Sequence, residues 1–200
     1  MKHFIAAAAL AAALPGAASA LSFSGTYGVS GSAFSDPGLV IQTAPSNGSY
    51  AFNLDVGQST TVKLFDIWTN ENSVGSDDTV PQSINVGFDM TDPVSTGNVS
   101  GSTVGNSLLF GLFQSGSVSW DGPLQLAFGK GGILSVMLNN ATFNDGVFGL
   151  DEGQRHGAGI KATFTYEQSP SAVPLPAGLG LMAAGVGALG AAARRRKAAA

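Results

Sequence analysis

The chain has 200 residues, with 13 Asp and Glu against nine Lys and Arg, two histidines and no cysteine. Without a thiol it can form no disulfide and do no thiolate chemistry. A net charge of −4 gives it no electrostatic reason to bind nucleic acid or an anionic lipid surface.

The first 20 residues read as an export signal. Lys2 and His3 form a short positive start, residues 4–14 are rich in Ala and Leu, and Pro15-Gly16 breaks the helix. Ala18-Ser19-Ala20 then supplies the small-x-small pattern of a cleavage site, with cleavage after Ala20. An apolar run of about eleven residues is too short to span a bilayer as an uncleaved anchor.

Residues 21–168 read as one exported β-domain, large enough to bury a core. All 13 acids fall within it, opposed only by Lys63, Lys130, Arg155 and Lys161, so its formal charge is −9. Short apolar runs alternate with Gly, Asn, Asp and Pro, which predicts many short strands. The first is at 21–29. Strands at 50–54 and 60–68 flank a turn at Asp55-Val56-Gly57-Gln58, and 81–88 and 107–113 add two more. Asp121-Gly122-Pro123 turns the chain into a strand at 124–128, and another covers 133–138. Thr142-Phe143 and Val147-Phe148 read as the arms of a hairpin around Asn144-Asp145-Gly146, since Asp-Gly suits a tight primed turn. The clearest strand is 160–167, where Ile160, Ala162, Phe164 and Tyr166 alternate with Lys161, Thr163, Thr165 and Glu167. Nine or ten strands without an amphipathic helix predict an all-β fold. The expected architecture is an antiparallel β-sandwich of jelly-roll or immunoglobulin-like shape.

A linker and a short motif occupy 169–177, ending in Val173-Pro174-Leu175-Pro176-Ala177. From Ala177 to Ala193 run 17 uncharged residues, five of them glycine, and Arg194-Arg195-Arg196-Lys197 follow. As a helix this stretch would reach roughly 25 Å, just short of a hydrocarbon core of about 30 Å. The expected division is a transmembrane helix at 178–193 and a basic cytoplasmic tail at 194–200 that stops transfer.

Val173 to Ala177, the glycine-rich span and the terminal Arg cluster together resemble the VPLPA variety of PEP-CTERM sorting signals. The resemblance covers 173–197 and implies a transient partner, an exosortase-type membrane protease. That protease would recognise the Pro-containing motif, remove the helix and tail, and release the protein to the cell surface or exopolysaccharide matrix. Two prolines resist helix and sheet pairing, which would leave the motif extended and open to cleavage. The alternative is a plain single-pass anchor on a proline-rich stalk. A single exported β-domain hung on such a tail is also similar to bacterial surface domains of the "choice-of-anchor" type.

Catalytic patterns are sparse. His156 is the one histidine of the exported part, and it has no Gly-x-Ser-x-Gly elbow or further His or Cys to work with. Carboxylate pairs suited to glycoside hydrolysis are Asp151 with Glu152, Asp77 with Asp78, and Asp89 with Asp92. The segment 71–78 gathers Glu71, Asn72, Ser73, Asp77 and Asp78, oxygen donors of the kind calcium takes, without an EF-hand order; a solvated acidic loop is the favoured reading. Trp68 and Trp120 could stack on sugar rings if exposed, or pack at the core rim. The reading is therefore a non-enzymatic protein of structural or adhesive type without a cofactor. It would sit in the inner membrane before processing and at the surface or in the matrix afterwards, among exopolysaccharide or other surface proteins. The alternatives are a carbohydrate-binding surface module and, less favoured, a surface hydrolase.

Overall fold

A computed structural model describes residues 20–170. The compact unit ends at Ser169. The expected signal peptide up to Ser19, including Ala18, and the motif, span and basic tail from 171 onward lie outside the described residues. Among the described residues no helix is long and apolar enough to cross a membrane.

The domain is all-β and antiparallel, with eleven strands and two single-turn 3₁₀ segments. In chain order the strands are β1 (Leu21–Ser30), β2 (Ile41–Ala44), β3 (Asn47–Leu54), β4 (Ser59–Thr69), β5 (Gln82–Asp92), β6 (Val94–Leu108), β7 (Phe113–Trp120), β8 (Leu124–Phe128), β9 (Gly132–Leu138), β10 (Ala141–Val147) and β11 (Ala158–Gln168). They form a six-stranded sheet ordered β10-β7-β6-β5-β1-β3 and a five-stranded sheet ordered β2-β4-β11-β9-β8.

Period-two alternation sends one side of each strand into a shared core. Phe23 and Tyr27 of β1 and Ile84, Val86, Phe88 and Met90 of β5 are buried from one sheet. Leu134 and Val136 of β9 and Ile160, Phe164 and Tyr166 of β11 are buried from the other. Aromatic rings join the two layers: Phe23 meets Phe128 and Tyr166 edge-on at 5.7 and 5.2 Å, and Tyr50 lies 5.0 Å from Phe164. Such pairs add about 0.5–1.5 kcal/mol each beyond area burial. The Tyr27 hydroxyl donates to the Leu64 carbonyl across the same gap. Burial and then the nearby Asp89 push the Tyr50 phenol up to about 12.

Two expected elements are corrected. Residues 107–113 are not a strand. They end β6, turn, and begin β7, with hydrogen bonds from Gly111 N to Leu108 O and from Leu112 N to Leu109 O. Asn144-Asp145-Gly146 is not a hairpin turn either, because β10 runs through it with a register shift between Phe143 and Gly146. The reason is Asn144 itself, fully buried at φ 54°. Its Oδ1 accepts from Thr69 N at 2.9 Å, and its Nδ2 donates to the carbonyls of Asp151 and Gly153. The amide thus ties β10 to the end of β4 and to the loop that leads into β11. The residue that reads as a turn former is a buried cross-sheet tie that bulges the strand.

Candidate functional site

The acidic segment 71–78 does come together in space. With Asp36 and Asn70 it lines a pocket of about 420 Å³. Two of the segment's three acidic side chains accept hydrogen bonds from nearby backbone N–H groups. Glu71 Oε1 accepts from Val40 N at 2.7 Å, and Asp78 Oδ2 accepts from Gly75 N at 2.7 Å while Asp78 is only 5 % exposed. Thr69 Oγ1 donates to Val40 O, so the two backbone groups of Val40 are held by Glu71 and by Thr69 at the end of β4. Burial, and then the nearby Asp78 and Asp36, raise the Glu71 carboxyl above its ordinary range, against the pull of the Val40 N–H. Among the described residues no group of three His, Cys, Asp or Glu converges in a way that could hold a metal ion.

His156 Nδ1 lies 3.4 Å from Asp151 Oδ2, and Arg155 Nε donates to its Nε2, so the imidazole is held at both nitrogens inside its own loop. Glu152, beside Asp151, is exposed. Trp68 is half-buried and donates Nε1–H to Asn70 Oδ1. Trp120 is half-buried against the core, covers Gly101 and donates Nε1–H to Asn139 O. Both indole N–H groups are thus taken up by hydrogen bonds within the domain. Ala20 is exposed and directly precedes β1.

A different surface stands out once the strands are in register. On the outer face of the six-stranded sheet, three rows cross β1, β5 and β6: Thr26–Asp89–Thr96, Gly28–Gly87–Asn98 and Ser30–Asn85–Ser100. Asp89 is the only charge among these nine positions, in a domain of formal charge −9. The amides are linked laterally, Asn98 Nδ2 donating to Asn85 Oδ1 and to Ser100 Oγ. Thr26, Gly28, Gly87, Asp89 and Thr96 border a shallow, open trough of about 320 Å³.

The floor of that trough is the paired Gly28 and Gly87. Neither has a positive φ, and a methyl group built on Gly28 would meet nothing within 4 Å. On Gly87 it would meet only the Gly28 carbonyl, at 3.9 Å. Gly25, by contrast, has the Asp89 carbonyl 2.4 Å from where its Cβ would stand, so the fold requires it. Unforced glycines inside strands cost about 0.5–1 kcal/mol each relative to alanine and leave backbone open to close approach. The outer face of the five-stranded sheet differs: it carries the Lys63–Asp66 ion pair at 2.6 Å, with Lys161 and Glu167 on β11.

Sequence reasoning missed this face because its longest strand, β6, is written almost wholly in Ser, Gly, Asn, Thr and Val. The signal that could have found it is the alternation in β1, where Phe23, Gly25 and Tyr27 face in and Ser24, Thr26 and Gly28 face out. No protein-family model, curated protein or solved structure matches the chain.

Proposed function

We propose that this chain is an exported protein of structural or adhesive type, passed by its C-terminal signal from the inner membrane to the cell surface or extracellular matrix. The observation that carries this reading is the order of residues 173–197: Val173-Pro174-Leu175-Pro176-Ala177, an uncharged glycine-rich stretch, then Arg194 to Lys197. An exosortase-type protease is the transient partner, and exopolysaccharide or other surface proteins are the lasting ones. Two features of the domain support the reading. The first strand starts at Leu21, the residue after Ala20, and the compact unit ends at Ser169, so cleavage at both expected sites would leave every strand whole. We group the domain with β-sandwiches of jelly-roll or immunoglobulin-like type, and we assign it neither a cofactor nor a catalytic residue.

Intact-mass measurement and C-terminal peptide mapping of the protein from membrane and medium fractions of native culture test this. The expected mature species begins at Leu21 and ends within or beside 173–177. A protein found only in membranes and still carrying Arg194 to Ala200 would make it a plain anchored protein.

The neutral face favours a second reading, a module that binds uncharged polysaccharide. Short hydroxyl and amide groups offer both donors and acceptors to sugar hydroxyls, with Asp89 the one charge at the border of the trough. Affinity electrophoresis of the full chain through gels containing neutral glucans tests it. Retardation that Gly28→Val abolishes would support the reading, since a Cβ added there enters the trough floor with no atom within 4 Å. An unretarded wild-type chain would remove it.

A further inference from the structure

The turn between β6 and β7 breaks two rules at once. Leu109 and Phe110 hold φ of 50° and 60°, and Gly111 follows at 88°. A hydrogen-bonded hairpin turn with positive φ at both central residues is ordinarily built from Asn-Gly or Asp-Gly. Large side chains there strain the backbone. These side chains are also uncovered: Phe110 is fully exposed, and Leu108 and Leu109 are each about two-thirds exposed. Beside them Phe148, also at positive φ and 83 % exposed, donates its N–H to Leu112 O. Six of the ten exposed large hydrophobics of the described domain, Val147 and Phe113 included, belong to this one tip.

We propose that this tip is a membrane-contacting element that inserts into the interface of an uncharged, zwitterionic lipid bilayer. This inference is independent of the sorting signal and of the polysaccharide reading. Three observations select the occupant. The tip, 107–113 with 147–150, contains no charged residue, while the acids of 71–78 lie close by, Val74 N donating to Gln114 Oε1 and Leu150 N to Asn72 O. An apolar point beside carboxylates suits a neutral lipid surface and is repelled by an anionic one. Second, the tip is convex. Two such points meeting would bury well under the roughly 800 Å² per partner of a stable protein interface, and each domain brings a charge of −9.

Third, the tip lies far from both ends of the domain. Leu21 pairs with Leu54, Gly57 N donates to Tyr166 O, and Gln168 pairs with Ile133, which brings both ends to one pole. Ser95, near the start of β6, is at that pole too, its Oγ donating to Ala127 O beside Ile133. From Ser95 to Leu108 the strand runs about 40 Å at ~3.3 Å per residue. The tip is therefore the part of the domain best placed to meet a surface presented opposite the chain ends.

Because the chain has no cysteine, single labels can be placed at will. Full-length Phe110→Cys and, at the opposite pole, Val56→Cys would each carry an environment-sensitive fluorophore and be mixed with phosphatidylcholine vesicles. The label at 110 is expected to shift to the blue and brighten several-fold, and the label at 56 to stay aqueous. Adding phosphatidylglycerol is expected to weaken the response. In a Leu109→Asn/Phe110→Gly background, a label at Phe148→Cys should lose the shift. An aqueous label at 110 in the presence of vesicles overturns the proposal. So does a shift that grows with protein concentration without lipid, which would mean self-association, or one that persists in the Asn-Gly variant.

Discussion

The turns at 55–58 and 108–112 reverse the chain at opposite ends of the same domain, and they do so with opposite chemistry. At 55–58 the positive φ of 85° is taken by Gly57. Gln58 N donates to Asp55 O at 3.0 Å, the Gln58 amide returns an acceptor to Asp55 N, and Gly57 N donates to Tyr166 O. Asp55, Gly57 and Gln58 all serve the turn. At 108–112 the same backbone task falls to Leu109 and Phe110, of which Phe110 gains no burial in return and Leu109 little. A turn that satisfies its backbone needs no apolar side chain, so the fold does not explain why Leu and Phe stand where Asn and Gly would serve better.

The largest way to break this comparison lies at the base of the apolar tip. Asn144→Ala removes the acceptor of Thr69 N and leaves the carbonyls of Asp151 and Gly153 without their donor. We expect a loss of about 3 kcal/mol in denaturant unfolding, together with faster hydrogen exchange at 148–153. Smaller is the effect at the polar turn, where Gly57→Ala should cost about 1 kcal/mol through its positive φ alone, since its Cβ would meet nothing. Smaller again, and of opposite sign, is the neutral face: Gly28→Ala should gain about 0.5 kcal/mol because a strand conformation suits alanine better than glycine.

The smallest effect carries a pH signature. The folded Glu71 carboxyl titrates above its unfolded value of 4.5. Its contribution is present below that value and is lost as pH rises through the folded one. Glu71→Gln keeps an acceptor for Val40 N and should raise Tm by about 1 °C at pH 7. At pH 4 the difference should vanish. A variant that is less stable at pH 7 would show that the ionised carboxylate holds the loop.

Much of the fold is legible where burial is one-sided. β11 and β9 alternate cleanly, and the Asp-Gly-Pro ahead of β8 and the polar turn ahead of β4 stand where the sequence puts them. β6 and β7 are not legible, because a strand whose inward residues include Gly97, Gly101 and Gly105 offers little apolar periodicity. The tip misreads as a strand for the converse reason: Leu-Leu-Phe-Gly-Leu-Phe looks like core when its side chains point into solvent. Asn144 misleads because the same amide that favours turns can also serve as a buried tie. The neutral face is legible only after register aligns three strands, and register is not written in any one of them.

Denaturant unfolding of the full-length Leu109→Asn/Phe110→Gly chain beside the wild type bears most directly on the central claim, that the apolar tip is not there for the fold. The expected result is a gain of about 1–2 kcal/mol from relieving two strained residues. A loss of stability would contradict it, because Leu109 and Phe110 would then be holding the hairpin together.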